Sequence, residues 1–242
     1  MAARVSPRIG FLHTVPTLVE PFERDLRAAV PHAEASHRVD PGLLARAREI
    51  GVDATVDARV AELVAQLADE GVDAVLVTCS SIGESAERAA ASSSVPVVRV
   101  DAAMAAEAVA LARRDDGRSG RVVVLATVEA TLGPTVRLLR RAASHEVAAP
   151  TVETRLLAEA LRARENGAQP LHDALIGQAL REEAERADVV VLAQASMAQA
   201  AAGLLTQVPV LSSPSFGLRD AIEAAGRATF RRGPDDRPVT NT

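Results

Sequence analysis

A single cysteine, Cys79, lies in the stretch AVLVTCSSIGESAE (74–87), where an apolar run gives way to a Ser-rich, Gly-containing segment. A thiol there suits proton transfer, because a thiolate is a competent base and a thiol a competent acid. At a strand end and the mouth of the next helix, amide N–H groups and the helix dipole are expected to lower its pKa below the free value of about 8.5. The plain alternative is a small buried hydrophobe, a role free cysteine often has. Thr78, Ser80 and Ser81 add hydroxyls and N–H groups to the same turn, which suits a carboxylate. Helix capping by serine is the ordinary alternative, and the two are compatible.

Other residues with usable chemistry stand at the ends of apolar runs. His13 and Thr14 follow RIGFL (8–12), and Thr127 and Thr131 bracket VEA after RVVVLAT (121–127). Both pairs are candidates for substrate contact, with a capped helix start before TVRLLRR as the alternative for the threonines. His172 reads as a first-turn surface residue, Asp101 as the cap of the helix that follows it, and the Asp pair at 115–116 as a solvated turn. The five histidines (13, 32, 37, 145 and 172) show no HxxxH spacing and the lone cysteine forms no CxxC, so no metal site is expected. The chain has no lysine, which excludes Schiff-base chemistry and a P-loop lysine. GRSGR (117–121) lacks the GxGxxG pattern of a dinucleotide fingerprint.

Composition limits the class further. With 242 residues, 48% hydrophobic and 24% charged, the chain reads as a soluble globular protein able to bury a real core. No apolar run approaches the roughly 20 residues a membrane span needs, and His13 and Pro16 interrupt any signal-peptide core. A cytoplasmic location is expected. The net charge of −5, the absence of Trp and Tyr and only four Phe argue against a nucleic-acid site.

Elements that could position these residues alternate along the chain. Strands are expected at 8–12, 73–78, 95–100, 121–127, 151–157, 188–194 and 208–213. Helices are expected at 19–30, 54–71, 102–114, 135–144, 171–187 and 214–226, with a polar, frayed tail from 231. The 54–71 segment places Val56, Val60, Leu63, Val64 and Leu67 on one face and closes on Gly71. This β–α alternation predicts parallel sheets with helices on both faces.

The chain also echoes itself. GVDAVLVTCSSIGESAERAAASSSVPVVRVDAAMAAEAV resembles RADVVVLAQASMAQAAAGLLTQVPVLSSPSFGLRDAIEA, aligning Cys79 with Gln194, Ser81 with Ser196 and Pro96 with Pro209. A duplicated half is expected, with two similar lobes placing 78–81 and 193–196 on opposite walls of one cleft, beyond the carboxyl ends of the strands. Gln194, Ala195 and Ser196 then form a mirrored turn able to bond a substrate oxygen.

At this point VTCSSIGES, VLATVEATLGPT and VVVLAQASMAQA together resemble the aspartate/glutamate/hydantoin racemase superfamily, which includes maleate isomerases and arylmalonate decarboxylases. The resemblance runs from IGFLHTVPTL to the final helix. It implies an α/β fold of two Rossmann-like parallel-sheet lobes related by pseudo-twofold symmetry. The first lobe would be 1–100 completed by the C-terminal helix 214–242, and the second 101–213. It also implies an active site between lobes, no cofactor, commonly one cysteine per lobe, a Thr-containing turn that grips the carboxylate, and proton movement next to that carboxylate. The racemases carry a second-lobe cysteine in a motif like LGCTE. Here that stretch reads LAQAS, and an amide such as Gln194 cannot take up or release a proton near neutral pH. A symmetric two-thiol racemase is not supported. In the family's one-cysteine lyases the thiol is on the second lobe, whereas Cys79 is on the first.

The expectation is a cofactor-independent isomerase acting on a small carboxylic acid through Cys79. A decarboxylase or other lyase is the first alternative, and a non-catalytic small-acid-binding protein the second. Thr78, Ser80, Ser81, His13, Thr14, Thr127, Thr131, Gln194, Ala195 and Ser196 are the expected substrate contacts. Water, the substrate or His13 would carry any second proton. No metal, nucleic-acid or membrane partner is expected, and a homodimer or higher homo-oligomer is left open.

Overall fold

The structure, a computed structural model, describes residues 6–113 and 120–232. The Asp pair at 115–116, most of GRSGR and the tail from 233 lie outside the described residues. The chain divides into two compact units, with breaks after Val100 and before Gly217. Its two end segments make up unit 1, and Asp101–Phe216 makes up unit 2.

Unit 1 opens with β1 (Arg8–His13), α1 (Val19–Ala29), β2 (Glu34–Val39) and α2 (Pro41–Glu49). It continues with α3 (Ala54–Asp69), β3 (Ala74–Val77), α4 (Gly83–Ala90) and β4 (Val97–Arg99). The four strands are parallel in the order β2-β1-β3-β4. Parallel strands buried on both faces read as continuous apolar runs, and every residue of β3 is buried. The expected stripe on α3 is the core itself: Val56, Val60, Leu63, Val64 and Leu67 are all buried against β1 and β3 residues. Asp53 caps α3, accepting from the N–H groups of Thr55 (3.1 Å) and Val56 (3.0 Å).

Unit 2 holds α5 (Ala102–Leu111), β5 (Arg121–Ala126), α6 (Glu129–Ala142), β6 (Thr151–Leu156) and α7 (Ala158–Glu165). It then holds α8 (Gln169–Ala184), β7 (Val189–Leu192), α9 (Ala198–Ala201) and β8 (Val210–Ser212). Its strands are parallel in the order β6-β5-β7-β8, the same order as in unit 1. The last helix, α10 (Ser213–Arg232), begins in unit 2 and continues in unit 1.

The internal echo has a bond-by-bond counterpart. The Arg8 N–H donates to Asp73 Oδ2 at 2.9 Å, and the Arg121 N–H to Asp188 Oδ2 at 2.7 Å. The Thr78 N–H donates to the Leu12 carbonyl (3.0 Å), and the Ala193 N–H to that of Leu125 (2.9 Å). Pro96 and Pro209 carbonyls accept from Val75 and Val190 at 2.8 and 2.9 Å.

Some elements differ from the sequence reading. β2, α2 and α7 are additional, and α6 starts at Glu129 rather than 135. Gly133 and Pro134 read as a break, but Pro134 sits inside α6. In both sheets the chain leaves the first central strand toward one edge and the second toward the other. The loops after β1 and β3, and after β5 and β7, are therefore the topological switch points where α/β sheets collect ligands. Among the described residues no helix is long and apolar enough to cross a membrane.

Candidate functional site

Cys79 follows β3 at the switch point of unit 1 and is half-buried. Thr14, the residue after β1, hydrogen-bonds its thiol through the side chain. The Ser81 hydroxyl and N–H and the Ile82 N–H also reach the sulfur. These groups favour the thiolate, but burial outweighs them and pushes the thiol pKa up. This corrects the lowered pKa expected from a helix start. The helix beginning there is a single 3-10 turn, Ser80–Ile82, and the regular helix α4 starts only at Gly83. One turn aligns too few peptides to make a strong dipole.

Neither Ser80 nor Ser81 caps a helix, because no side chain caps the 3-10 turn or α4. The Ser80 Oγ is instead buried with no hydrogen-bond partner among the described residues. A buried hydroxyl left unmatched costs free energy, so this atom beside the thiol is suited to a ligand oxygen.

His13 and Thr78 lie one residue before that thiol–hydroxyl pair. His13 is fully buried, with Nδ1 at 2.9 Å from Thr78 Oγ1 and Nε2 at 3.0 Å from His37 Nδ1. Thr78 Oγ1 donates to the Leu12 carbonyl at 3.1 Å. That donation sets the rest of the order. His13 Nδ1–H donates to Thr78, and His37 Nδ1–H donates to His13 Nε2. The opposite order would leave a buried N–H on His37 unpaired, since His37 Nε2 has no partner. Phe11, His13 and His37 stack, with Phe22 tilted against the first two. Burial, reinforced by His37, lowers the His13 pKa to about 3. Burial also lowers that of His37, opposed by the Glu23 carboxylate on α1. Both rings are neutral at neutral pH, and both nitrogens of His13 are occupied.

In unit 2 the equivalent residues are Thr127 after β5 and Gln194 after β7. The Thr127 N–H donates to Gln194 Oε1 at 2.8 Å, with the Thr127 hydroxyl at 3.4 Å. Because a backbone N–H can only donate, the atom facing it must be the amide oxygen. The Gln194 NH2 therefore points elsewhere and donates to no described residue, so it is available to an acceptor. Ala195 and Ser196 are half-buried in the 3-10 turn Ala195–Met197, which no side chain caps. Thr131 is buried inside α6 and caps nothing, because Val128 occupies the cap position without a side-chain bond.

Two surface or capping assignments are corrected. His172 is fully buried, not a surface residue. Packing of α8 on α7 covers it, and its Nδ1–H donates to the Ala160 carbonyl at 2.8 Å. Asp101 precedes α5 but its side chain makes no cap bond, and it is fully buried. No three His, Cys, Asp or Glu side chains gather to hold a metal among the described residues.

Sequence reasoning missed His37 and Arg99. His37 lies on β2, opposite Phe11 in register, so its role emerges only with the pairing. Arg99 ends β4 with its side chain buried, its Nη1 2.7 Å from Glu87 Oε1. Its guanidinium lies flat on Gly83, where an added Cβ would come within 2.5 Å of it. The signal was the glycine four residues after Cys79. In unit 2 the matching residues are Ser212 and Ala198, which have no such cation to accommodate.

The fold has close counterparts among solved structures. Glutamate racemase from Francisella tularensis subsp. tularensis SCHU S4, solved with D-glutamate, superposes with a TM-score of 0.67 at 14% identity, covering 92% of this chain and 82% of that one. Picrophilus torridus aspartate racemase gives 0.64 at 14% identity, covering 91% and 95%. A variant of arylmalonate decarboxylase gives 0.56 at 19% identity, covering 91% and 94%. At these identities the likeness concerns the fold. No curated protein matches the sequence at a significant level. The sequence profile of the Asp/Glu/Hydantoin racemase family, however, matches residues 14–221. With most of its length under that profile, and with both switch-point turns inside it, the chain belongs to the Asp/Glu/hydantoin racemase family.

Proposed function

We propose that this protein is a cofactor-independent isomerase that moves a proton at the carbon next to the carboxylate of a small acid, with Cys79 as the proton-transfer group. The observation that carries this reading is the convergence of four hydrogen bonds, from Thr14, Ser81 and Ile82, on the one thiol. In the forward step the Cys79 thiolate takes the proton from the α-carbon, giving a thiol and an enediolate. Water delivers a proton to the opposite face of that carbon, which inverts it, and the Cys79 thiol gives its own proton to solvent to regenerate the thiolate. Donors in the turn would hold the carboxylate and spread the enediolate charge. The Ser80 hydroxyl would serve that acid as a donor, and the Gln194 NH2 is a donor that unit 2 offers to an acid.

A lyase is the second reading, and Gln194 favours it. An amide cannot give or hold a proton, so only one thiol is available. In a lyase, carbon dioxide would leave the substrate, and the enediolate would take its proton from the Cys79 thiol. Such a step starts from the protonated form that burial favours.

Incubation with small 2-substituted acids and dicarboxylates in deuterium oxide tests both. Isomerisation is expected to place deuterium at the α-carbon of recovered substrate, and a lyase to place it only in product. Cys79→Ser is expected to lower either rate by about 10²–10⁴-fold. Binding without exchange or turnover across the panel would overturn catalysis and leave a small-acid-binding protein.

A further inference from the structure

We propose that His13 and His37 are positioning residues for Cys79: a one-way hydrogen-bond chain from His37 through His13 to Thr78 clamps the ends of β1 and β3, and so fixes the Thr14 hydroxyl against the thiol. The inference deepens the proposed function and rests on its assignment of Cys79.

The geometry lies within unit 1. The bond from His13 Nδ1 to Thr78 Oγ1 (2.9 Å) joins the last side chain of β1 to the first residue after β3. The next residue on each side is a member of the thiol–hydroxyl pair, Thr14 and Cys79. Thr78 sends both its N–H (3.0 Å) and its hydroxyl (3.1 Å) to the Leu12 carbonyl, so toward His13 its oxygen can only accept. His37 holds the far side of the ring at 3.0 Å and stacks on Phe11, 4.9 Å between ring centres. A ring fixed on both nitrogens and stacked on its face has no rotamer freedom left.

Unit 2 is the internal comparison. Its matching positions are Ala126, Thr154 and Ala193, which cannot form such a chain. There the residues that follow, Thr127 and Gln194, bond directly at 2.8 Å, because the glutamine side chain is long enough to reach a backbone N–H. A cysteine side chain is too short to reach the N–H at the end of the neighbouring strand. Its partner from the β1 end must be a side chain, that of Thr14, and the two strand ends must be held from behind. Neither histidine touches the sulfur in this arrangement, so neither is a catalytic residue.

The test reads the thiol and needs no substrate. Alkylation of Cys79 by iodoacetamide is measured against pH in parent and variants, with circular dichroism as the check on folding. Removing the chain with His13→Leu frees the Thr14 contact, which favours the thiolate. Labelling at pH 8 is then expected to slow about 3-fold and its midpoint to rise by about half a unit. His13→Asn keeps a donor at the Nδ1 position and is expected to stay within about 0.2 units of the parent. If folded His13→Leu titrates like the parent, the proposal is wrong. Should that variant not fold, Thr78→Val removes the same bond and is read in its place. Independently, imidazole nitrogen spectra of the unaltered protein should show His13 protonated on Nδ1, and an Nε2-protonated form overturns the chain. Loss of turnover in the substrate panel bears on the proposed function alone, since labelling is independent of catalysis.

Discussion

A neutral thiol and an activated one differ in the direction of their pH dependence, and Cys79 allows that to be used. Because burial raises its pKa, the resting group is protonated at neutral pH. An isomerase that begins with the thiolate should gain activity as pH rises toward that pKa. A lyase that begins with the thiol should hold its rate and then lose it over the same range. A kcat/KM profile from pH 6 to 10 separates them. Gln194→Glu is a second residue-scale prediction. It keeps the oxygen facing the Thr127 N–H but replaces the NH2 by a negative oxygen, so a small acid should bind about tenfold or more weakly. Titration of the acid into both proteins measures it.

His13 supplies a stability prediction with a definite sign. Its pKa is lowered to about 3 in the fold, against about 6.5 in an unfolded chain. The unfolded state therefore binds more protons between those values, and stability falls as pH drops below 6.5. By pH 5 the loss from this group is about 2 kcal/mol, and His37 adds to it in the same direction. Urea midpoints at pH 7.5 and 5 check this, and His13→Asn should flatten the difference. The thiol was legible in the sequence because an isolated cysteine at the end of an apolar run stands out. His37 was not, because only its register opposite Phe11 gives it a partner. The rise in the thiol pKa was not legible either, since sequence cannot show how densely neighbours surround a sulfur.

At the scale of elements, what the sequence shows depends on how much of each element is buried. The stripe on α3 is read correctly because all five residues face one core. β2 is an edge strand with no fully buried residue, so EASHRV carries no apolar signal. α7 has only Ala160 and Ala163 buried, too small to mark a face. Gly217 in α10 makes an element-scale prediction. A Cβ there would stand 2.7 Å from the Val100 backbone, which cannot yield as a flexible side chain can. Gly217→Ala should cost about 1–3 kcal/mol, read as a lower urea midpoint with unchanged slope.

Across the whole molecule, two sheets of identical strand order have separate hydrophobic cores. Val60 belongs to a cluster in unit 1 and Val190 to one in unit 2. Val60→Ala and Val190→Ala should each cost about 2 kcal/mol. Together they should add to within about 0.5 kcal/mol, because they share no neighbours. Denaturant melts of both single variants and the double variant test this. The parallel architecture was legible because βαβ alternation allows few other solutions.

The division of the chain also has a consequence for the order of events on the ribosome. Unit 1 is discontinuous: its β-sheet is translated first, but the helix that seats Gly217 against Val100 emerges only after all of unit 2. At roughly 5–20 residues per second, the segments carrying His13, His37 and Cys79 spend several seconds outside the exit tunnel without that helix. The half of the protein synthesised first is thus the half completed last. Until that helix arrives, Cys79, the single cysteine, stands in a unit that is still incomplete.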